Sequence, residues 1–462
     1  LTKSRSAFVP LIRVMLVCLC LVGVVVTPRR TASTADTSNA AQQAIEHGDA
    51  LCASWTQTAL RAAIAEYERA ALLSTSHAAQ ANLKSGDIHF ILNNYNEALK
   101  RFQNAEELAR KENDWLTAAT ALSRIGRVHS FLGRNDLAKQ QLTKSLDLFK
   151  QHDADRSDLV ANAYGEALNN QAEVSYAVGD FVAAREQLGK ALGVFRNDPK
   201  GEAKAHLYTG YIIGSLGDSE AAVTEINLAV DLYRKANDKI GEGIALSTLG
   251  LSYSLKRDVN RANELHNKAI GIFRLAGDRY DEAIALNGIG QAYEAVGDYV
   301  LAINQYEQSV RIFEEIGSPD GLITPTFKLG RVHNLSGHPD KALEFFGRCL
   351  QLCRAAGKVR TEAYALSEIA RVYVAQGRRD LAKQQFMKLQ NFYESLEDFR
   401  GQATALNTYG DFLSQGGDDK QALEAWQRAL PLSEKVGDKG ILISTLYSLA
   451  RVNLKTGNPE AA

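Results

Sequence analysis

The chain of 462 residues has little of what punctuates or staples a fold: 8 prolines, 5 cysteines and 2 methionines. So few prolines exclude a proline-rich linker protein, and five cysteines in a chain this long exclude a disulfide framework. Net charge is also missing. Fifty-three basic residues face 54 acidic ones, a formal balance of −1, which leaves no broad basic face for nucleic acid. Long apolar runs are absent too. The run from Val14 to Val26 falls short of the roughly 20 residues a membrane-spanning helix takes. Nine histidines follow no metal-ligand spacing.

What is present is a beat. Leu249-Gly250-Leu251-Ser252-Tyr253 returns as Ile289-Gly290-Gln291-Ala292-Tyr293, as Leu329-Gly330-Arg331-Val332-His333 and as Ile369-Ala370-Arg371-Val372-Tyr373. Twelve residues after each small residue stands an alanine, among them Ala98, Ala138, Ala262, Ala302, Ala342 and Ala422. A large residue follows four positions later (Phe102, Tyr306, Phe346, Trp426) and a small or medium one at seven (Ala105, Ser309, Cys349, Ala429). Offsets of 3, 4 and 7 share one helical face, so each half-unit is an amphipathic α-helix. A fixed period of this length marks a solenoid, in which function lies on an extended surface.

The turns agree. Gly179-Asp180, Gly217-Asp218, Gly297-Asp298 and Gly417-Asp418 place a glycine past one helix and a capping aspartate before the next. Pro339 and Pro459 fall where a first helical turn tolerates a missing N–H. Pro431, late in a second helix, is expected to kink or shorten it, since an interior proline costs about 3 kcal/mol.

These phrases resemble the tetratricopeptide repeat in its extended, kinesin-light-chain-like form. That resemblance implies an all-α fold, a right-handed α–α superhelix of antiparallel helical hairpins. The connectors Gly277-Asp278-Arg279-Tyr280-Asp281-Glu282-Ala283, Asp238-Lys239-Ile240-Gly241-Glu242-Gly243 and Phe399-Arg400-Gly401-Gln402-Ala403 are similar to those of bacterial arrays preceding a caspase-like CHAT domain. The resemblance covers about residues 40–462. The expected organisation is residues 1–35 as a signal peptide or membrane anchor and 36–77 as an atypical hairpin. Residues 78–462 then form about nine repeats plus a truncated last one.

At the N-terminus Lys3, Arg5 and Arg13 precede the apolar run, followed by Ser33-Thr34-Ala35 as a small-x-small site. This pattern is expected to export the chain, periplasmic or extracellular, or to anchor it through residues 14–26. A cytoplasmic location fits less well. The first residue is Leu, and the last unit stops at Ala462 after half a hairpin. The expectation is therefore that the natural chain continues, and that Leu446, Leu449 and Leu454 await a partner helix.

Candidate chemistry is thin. Cys349 and Cys353 sit one helical turn apart, where a disulfide is awkward, and are expected to be packing residues. His129 and His333 occupy a slot usually aromatic and are expected to be satisfied core imidazoles. Asp153, Asp155 and Asp158 lie in the one longer linker but lack the glycine and glutamate of a calcium loop. No catalytic residue, cofactor or metal ligand is assigned, and the chain is expected not to be an enzyme.

The remaining surface is the concave groove. The expected peptide-binding residues are Asn169, Tyr211, Asn287, Lys328, Arg331, Arg371, Asn407 and Arg451. Asparagine and arginine there would hydrogen-bond an extended backbone and pair with carboxylates, with Lys328, Arg331 and Arg371 as a positive patch. The leading expectation is a scaffold that binds a protein or peptide, with no nucleic-acid partner. The alternative is the sensor arm of a larger CHAT-type peptidase whose catalytic part lies beyond residue 462.

Overall fold

A computed structural model describes residues 34–152, 157–395, 398–436 and 439–457. The apolar run 14–26, Ser33, Asp153, Asp155, Pro459 and Ala462 lie outside the described residues. Twenty-one α-helices and no strand occur among the described residues. They form ten hairpins and one further helix, each hairpin a first and a second helix in turn.

The hairpins run α1 (Thr34–Cys52) with α2 (Gln57–Leu73), α3 (Thr75–Ile91) with α4 (Tyr95–Lys111), and α5 (Trp115–Phe131) with α6 (Asn135–Gln151). Next come α7 (Asp158–Ala177) with α8 (Phe181–Val194), α9 (Pro199–Ser215) with α10 (Ser219–Lys235), and α11 (Lys239–Leu255) with α12 (Val259–Ala276). Then follow α13 (Arg279–Val296) with α14 (Tyr299–Glu315), and α15 (Pro319–Leu335) with α16 (Pro339–Ala356). Last are α17 (Val359–Ala375) with α18 (Arg379–Ser395), α19 (Phe399–Gln415) with α20 (Asp419–Val436), and α21 (Lys439–Lys455). The chain is an all-α helical repeat superhelix.

Each hairpin is held by one close approach. A Cβ at Gly290 would lie 2.6 Å from Tyr306 Cε1, so only glycine lets α13 settle on the ring of α14. Tyr306 is fully buried, as are Phe346 and Trp426 in the same slot, each such side chain contributing about 2–3 kcal/mol by burial. The first hairpin repeats the device, with Gly48 against Tyr67 at a spacing three residues longer because its turn is longer. The turns form as the sequence implies: Gly297 sits at φ 84°, and the Asp298 carboxylate accepts from Leu301 N–H at 3.1 Å.

The connectors have a physical logic of their own. Asp238 caps α11 by accepting from Gly241 N–H at 2.9 Å. Gly241 stands where a Cβ would meet the Tyr233 ring at 2.3 Å. Glu242 accepts from Arg234 Nε at 2.8 Å. The same last-turn arginine to first-turn glutamate bond recurs as Arg274 to Glu282 at 2.7 Å and Arg354 to Glu362 at 2.7 Å. One short phrase thus caps a helix, seats it on the preceding aromatic ring and pins it by charge.

The superhelix closes on itself. Asn93, just past α3, donates Nδ2–H to the Asp278 carboxylate at 2.9 Å across 185 residues. The Gln57 side chain fills the space beside Gly277, and buried residues of α1–α3 and α9–α15 share one apolar cluster.

Several expectations are corrected. Pro431 does not shorten α20, which runs 18 residues through it; Ser433 Oγ donates to Ala429 O at 2.8 Å in the proline-containing turn. His129 and His333 are buried, but Nδ1 of each has no hydrogen-bond partner, so they are not satisfied imidazoles. Burial lowers both pKa values. Leu449 is packed against the cluster around Trp426, while Leu446 and Leu454 are exposed. Cys349 and Cys353 are packing residues as expected, free and buried, with sulfurs 3.8 Å apart.

Candidate binding channel

The first helices of successive hairpins face the axis of the closed turn. A cavity of about 170 Å³ lies among α3, α5, α7, α9, α11 and α13. Its wall is built from charges that only repeat stacking brings together. Arg124 Nε lies 3.0 Å from Asp87 and its Nη1 3.1 Å from Glu166. Arg127 approaches Glu173 at 3.4 Å, Lys204 approaches Glu173 at 3.1 Å, and Lys200 approaches Asp238 at 3.0 Å. Four cations therefore meet four carboxylates, with Lys204 Nζ also donating to Asn170 Oδ1 at 2.5 Å.

Burial sets the acid–base character of this wall. Enclosure alone would raise Glu166, but Lys204, Arg124 and Arg127 outweigh it and hold the carboxyl at about 2. Lys204 goes the other way. Burial and the nearby Arg127 bring its ammonium down to about 8 despite Glu173 and Glu166.

Aromatic rings flank the charges. Phe90 and Phe131 meet edge to face at 4.9 Å, Tyr95 lies 5.7 Å from Phe131, and the Arg127 guanidinium covers Phe90 at 4.5 Å, a cation–π contact. Tyr211 stacks on Tyr176 at 5.7 Å and shares a 2.8 Å hydrogen bond with Thr248.

A second cavity of about 500 Å³ lies at the seam of the closed turn. Gln57, Asn93, Tyr95 and Phe131 line one side; Gly277, Arg279, Tyr280 and Ser318 line the other.

The residues expected from the sequence separate into groups. Asn169 is fully buried and donates to Gly201 O at 2.9 Å; Asn407 is buried and donates to Thr445 Oγ1 at 2.8 Å. Both join adjacent first helices, and Asn169 Oδ1 has no hydrogen-bond partner. Asn287 is half-buried, with no partner for Oδ1. The expected positive patch is neutralised on two of its members: Arg331 pairs with Glu294, and Lys328 lies 3.9 Å from the same carboxylate. Arg371 stays exposed beside Glu368 at 3.1 Å. Arg451 approaches Asp411 at 3.5 Å. None of the eight lines the charged cavity.

Lys200, Lys204 and Asp281 were missed by the sequence reading. They sit in the first two turns of α9 and the first turn of α13, nearer the helix start than the groove positions it used. The signal was in the connector phrases themselves, whose Asp238, Ile240, Gly241, Asp278, Tyr280 and Asp281 line the cavity.

Stacked hairpins with an inward-facing channel define a tetratricopeptide-type solenoid. The tetratricopeptide repeat model matches residues 77–151, 244–315, 281–355 and 401–462. Together these are more than half of the chain, which belongs to the tetratricopeptide repeat family.

No curated protein matches it in sequence. Among solved structures it is similar to a Rap protein complexed with competence and sporulation factor (TM-score 0.51, 15% identity, 76% of this chain and 98% of that one). It is also similar to the quorum sensor NprR from B. thuringiensis (0.50, 16%, 77% and 95%) and to yeast Tom70 (0.50, 13%, 92% and 89%). At these identities the likeness is one of fold. The chain has the architecture of a protein-binding scaffold, a class that is in general non-catalytic.

Proposed function

We propose that the channel inside the closed turn holds an extended peptide or an exposed segment of a partner protein. The observation that carries this reading is the wall itself. Arg124, Arg127, Lys200 and Lys204 with Asp87, Glu166 and Asp238 line one cavity beside Phe90, Tyr95 and Phe131, and Glu173 pairs with Arg127 and Lys204. A peptide supplies both signs of charge and backbone amides, and so exchanges with internal ion pairs at little loss. Nucleic acid would meet a wall whose cations are already matched.

The test is selection of soluble binders from a displayed random peptide library, followed by affinity measurement on two variants. Asp87→Trp plugs the wall at a half-exposed position; Leu72→Trp changes an exposed residue that lines neither cavity. The reading expects the first to weaken binding at least about tenfold and the second to leave it unchanged.

We further propose that the chain acts outside the cytoplasm or at a membrane, on the strength of Lys3, Arg5, Arg13 and the run Val14–Val26. No helix among the described residues is long and apolar enough to cross a membrane. A fusion to a phosphatase active only after export tests this proposal; an inactive fusion would overturn it.

A second reading, the recognition arm of a longer effector chain, is favoured by α21, where Ile443, Leu446, Tyr447 and Leu454 are exposed. A genomic reading frame that ends at Ala462 would remove it.

A further inference from the structure

The wall of the inner channel carries more carboxylates than cations. Arg124, Arg127, Lys200 and Lys204 are answered by Asp87, Glu166, Glu173 and Asp238. Asp278 and Asp281 line the same cavity, and no lysine or arginine among the described residues forms an ion pair with either.

Folding accounts for one of the two. Asp278 caps α13, accepting from Asp281 N–H at 3.0 Å, and it also accepts from Asn93 at 2.9 Å. Both bonds fall on Oδ1, and the residue is only 2% exposed. Asp281 has no such task. Gly201, Gly241, Gly321 and Gly401 hold the same place in four sister connectors, each giving its N–H to the capping side chain. There a Cβ would meet the preceding ring within 2.3 Å, whereas Phe273, the ring before Asp281, packs against Gly243. At this point the repeat departs from the pattern of those four connectors, and the departure puts a half-buried carboxylate on the cavity wall.

The surroundings suit a cation. Enclosed carboxylates short of partners have lost solvation that an incoming positive group restores. Tyr95 donates its O–H to Asn93 Oδ1 at 2.7 Å, which brings a phenol ring to the Asp278 end of the cavity, and Tyr280 lines the same wall. Aromatic faces attract ammonium and guanidinium groups.

We propose that this end of the channel is a cation subsite, which takes an ammonium or guanidinium group of the bound peptide between Asp278 and Asp281. The group is the peptide's N-terminus or a lysine or arginine side chain. The proposal rests on the reading of the channel as a peptide site and names the ligand group that the site selects. An anionic group in the same place would meet two carboxylates with no cation between them.

The experiment uses the full chain with labelled isoleucine methyl groups. Ile240 and Ile244 line the cavity; Ile443 of α21 is exposed and remote from it. The protein is titrated with agmatine, which carries an ammonium and a guanidinium, and separately with glutarate, a dianion of similar length. Agmatine should shift the Ile240 and Ile244 methyl signals along a saturable curve and leave Ile443 unmoved, and glutarate should move none of them. Asp281→Asn should weaken agmatine binding at least about fivefold, and Asp281→Gly, the residue of the sister connectors, should weaken it as much. No saturable shift with agmatine, an equal response to glutarate, or an affinity unchanged by Asp281→Asn would overturn the subsite.

A library-selected peptide then identifies the group. N-acetylation and replacement of its lysines and arginines by norleucine and citrulline are compared, and one of the two should lower affinity at least about tenfold. If neither does, the subsite falls and the peptide reading stands. If agmatine binds as expected while no peptide can be selected, the peptide reading falls and the subsite stands.

Discussion

Asn93 and Asp278 stand 185 residues apart in sequence and share a 2.9 Å hydrogen bond that joins the second hairpin to the start of the seventh. Asn93 holds φ 61°, a left-handed conformation glycine adopts freely. Asn93→Gly therefore removes the bond and keeps the turn. A bond to a charged acceptor contributes about 1.5–3 kcal/mol, so the variant should populate an open superhelix. Small-angle scattering should give it a larger radius of gyration than the parent at neutral pH; identical profiles would mean the seam is held by other contacts.

Two glycines in helix interiors should respond to alanine with opposite signs. Gly290→Ala brings a Cβ within 2.6 Å of the Tyr306 ring, and overpacking of this kind costs about 1–3 kcal/mol. Gly347 has nothing within 4 Å of its Cβ position, so Gly347→Ala gains helix propensity of about 0.5–1 kcal/mol. Urea unfolding midpoints should fall for the first and rise for the second.

His266 fills the slot held elsewhere by Tyr306 and Phe346. It is fully buried, shares a 3.1 Å hydrogen bond with Ser247, and desolvation takes its pKa down to about 4. The unfolded chain has a histidine pKa near 6.5, so between these values it binds more protons than the fold does. The stability from the neutral ring is full above about 6.5 and is lost as pH falls toward 4. The loss is about 2 kcal/mol from pH 7 to pH 5. His266→Phe should flatten that part of the unfolding free energy against pH; a slope equal to the parent's would contradict it.

Much of the fold was legible because the repeat is written in residues with single jobs: glycine where helices touch, a ring opposite it, aspartate at the cap. The channel was legible only in part. Asn169 and Asn407 looked like ligand-facing amides because spacing alone does not show how far adjacent first helices rotate into one another. Lys328 and Arg331 looked like a patch because Glu294, more than 30 positions away, is invisible to local reading. The seam was hidden for the same reason, since superhelical closure sums small rotations over many hairpins.

The thiols of Cys349 and Cys353 are buried, and burial raises the pKa of both, which suppresses the reactive thiolate. Among Cys52, Cys349 and Cys353, a water-soluble disulfide reagent should reach at most Cys52 in the native state and all three after denaturation. Rapid native labelling of Cys349 would contradict this packing.

The central claim is that the charged inner channel, whose wall runs from α3, α5 and α7 to the N-terminal halves of α9, α11 and α13, forms the binding surface. Hydrogen exchange measured with and without a library-selected peptide tests it most directly. The account predicts new protection in residues 199–205, 239–245 and 279–285, with residues 443–454 unchanged. Protection confined to α21 or to the second helices of the hairpins would contradict it.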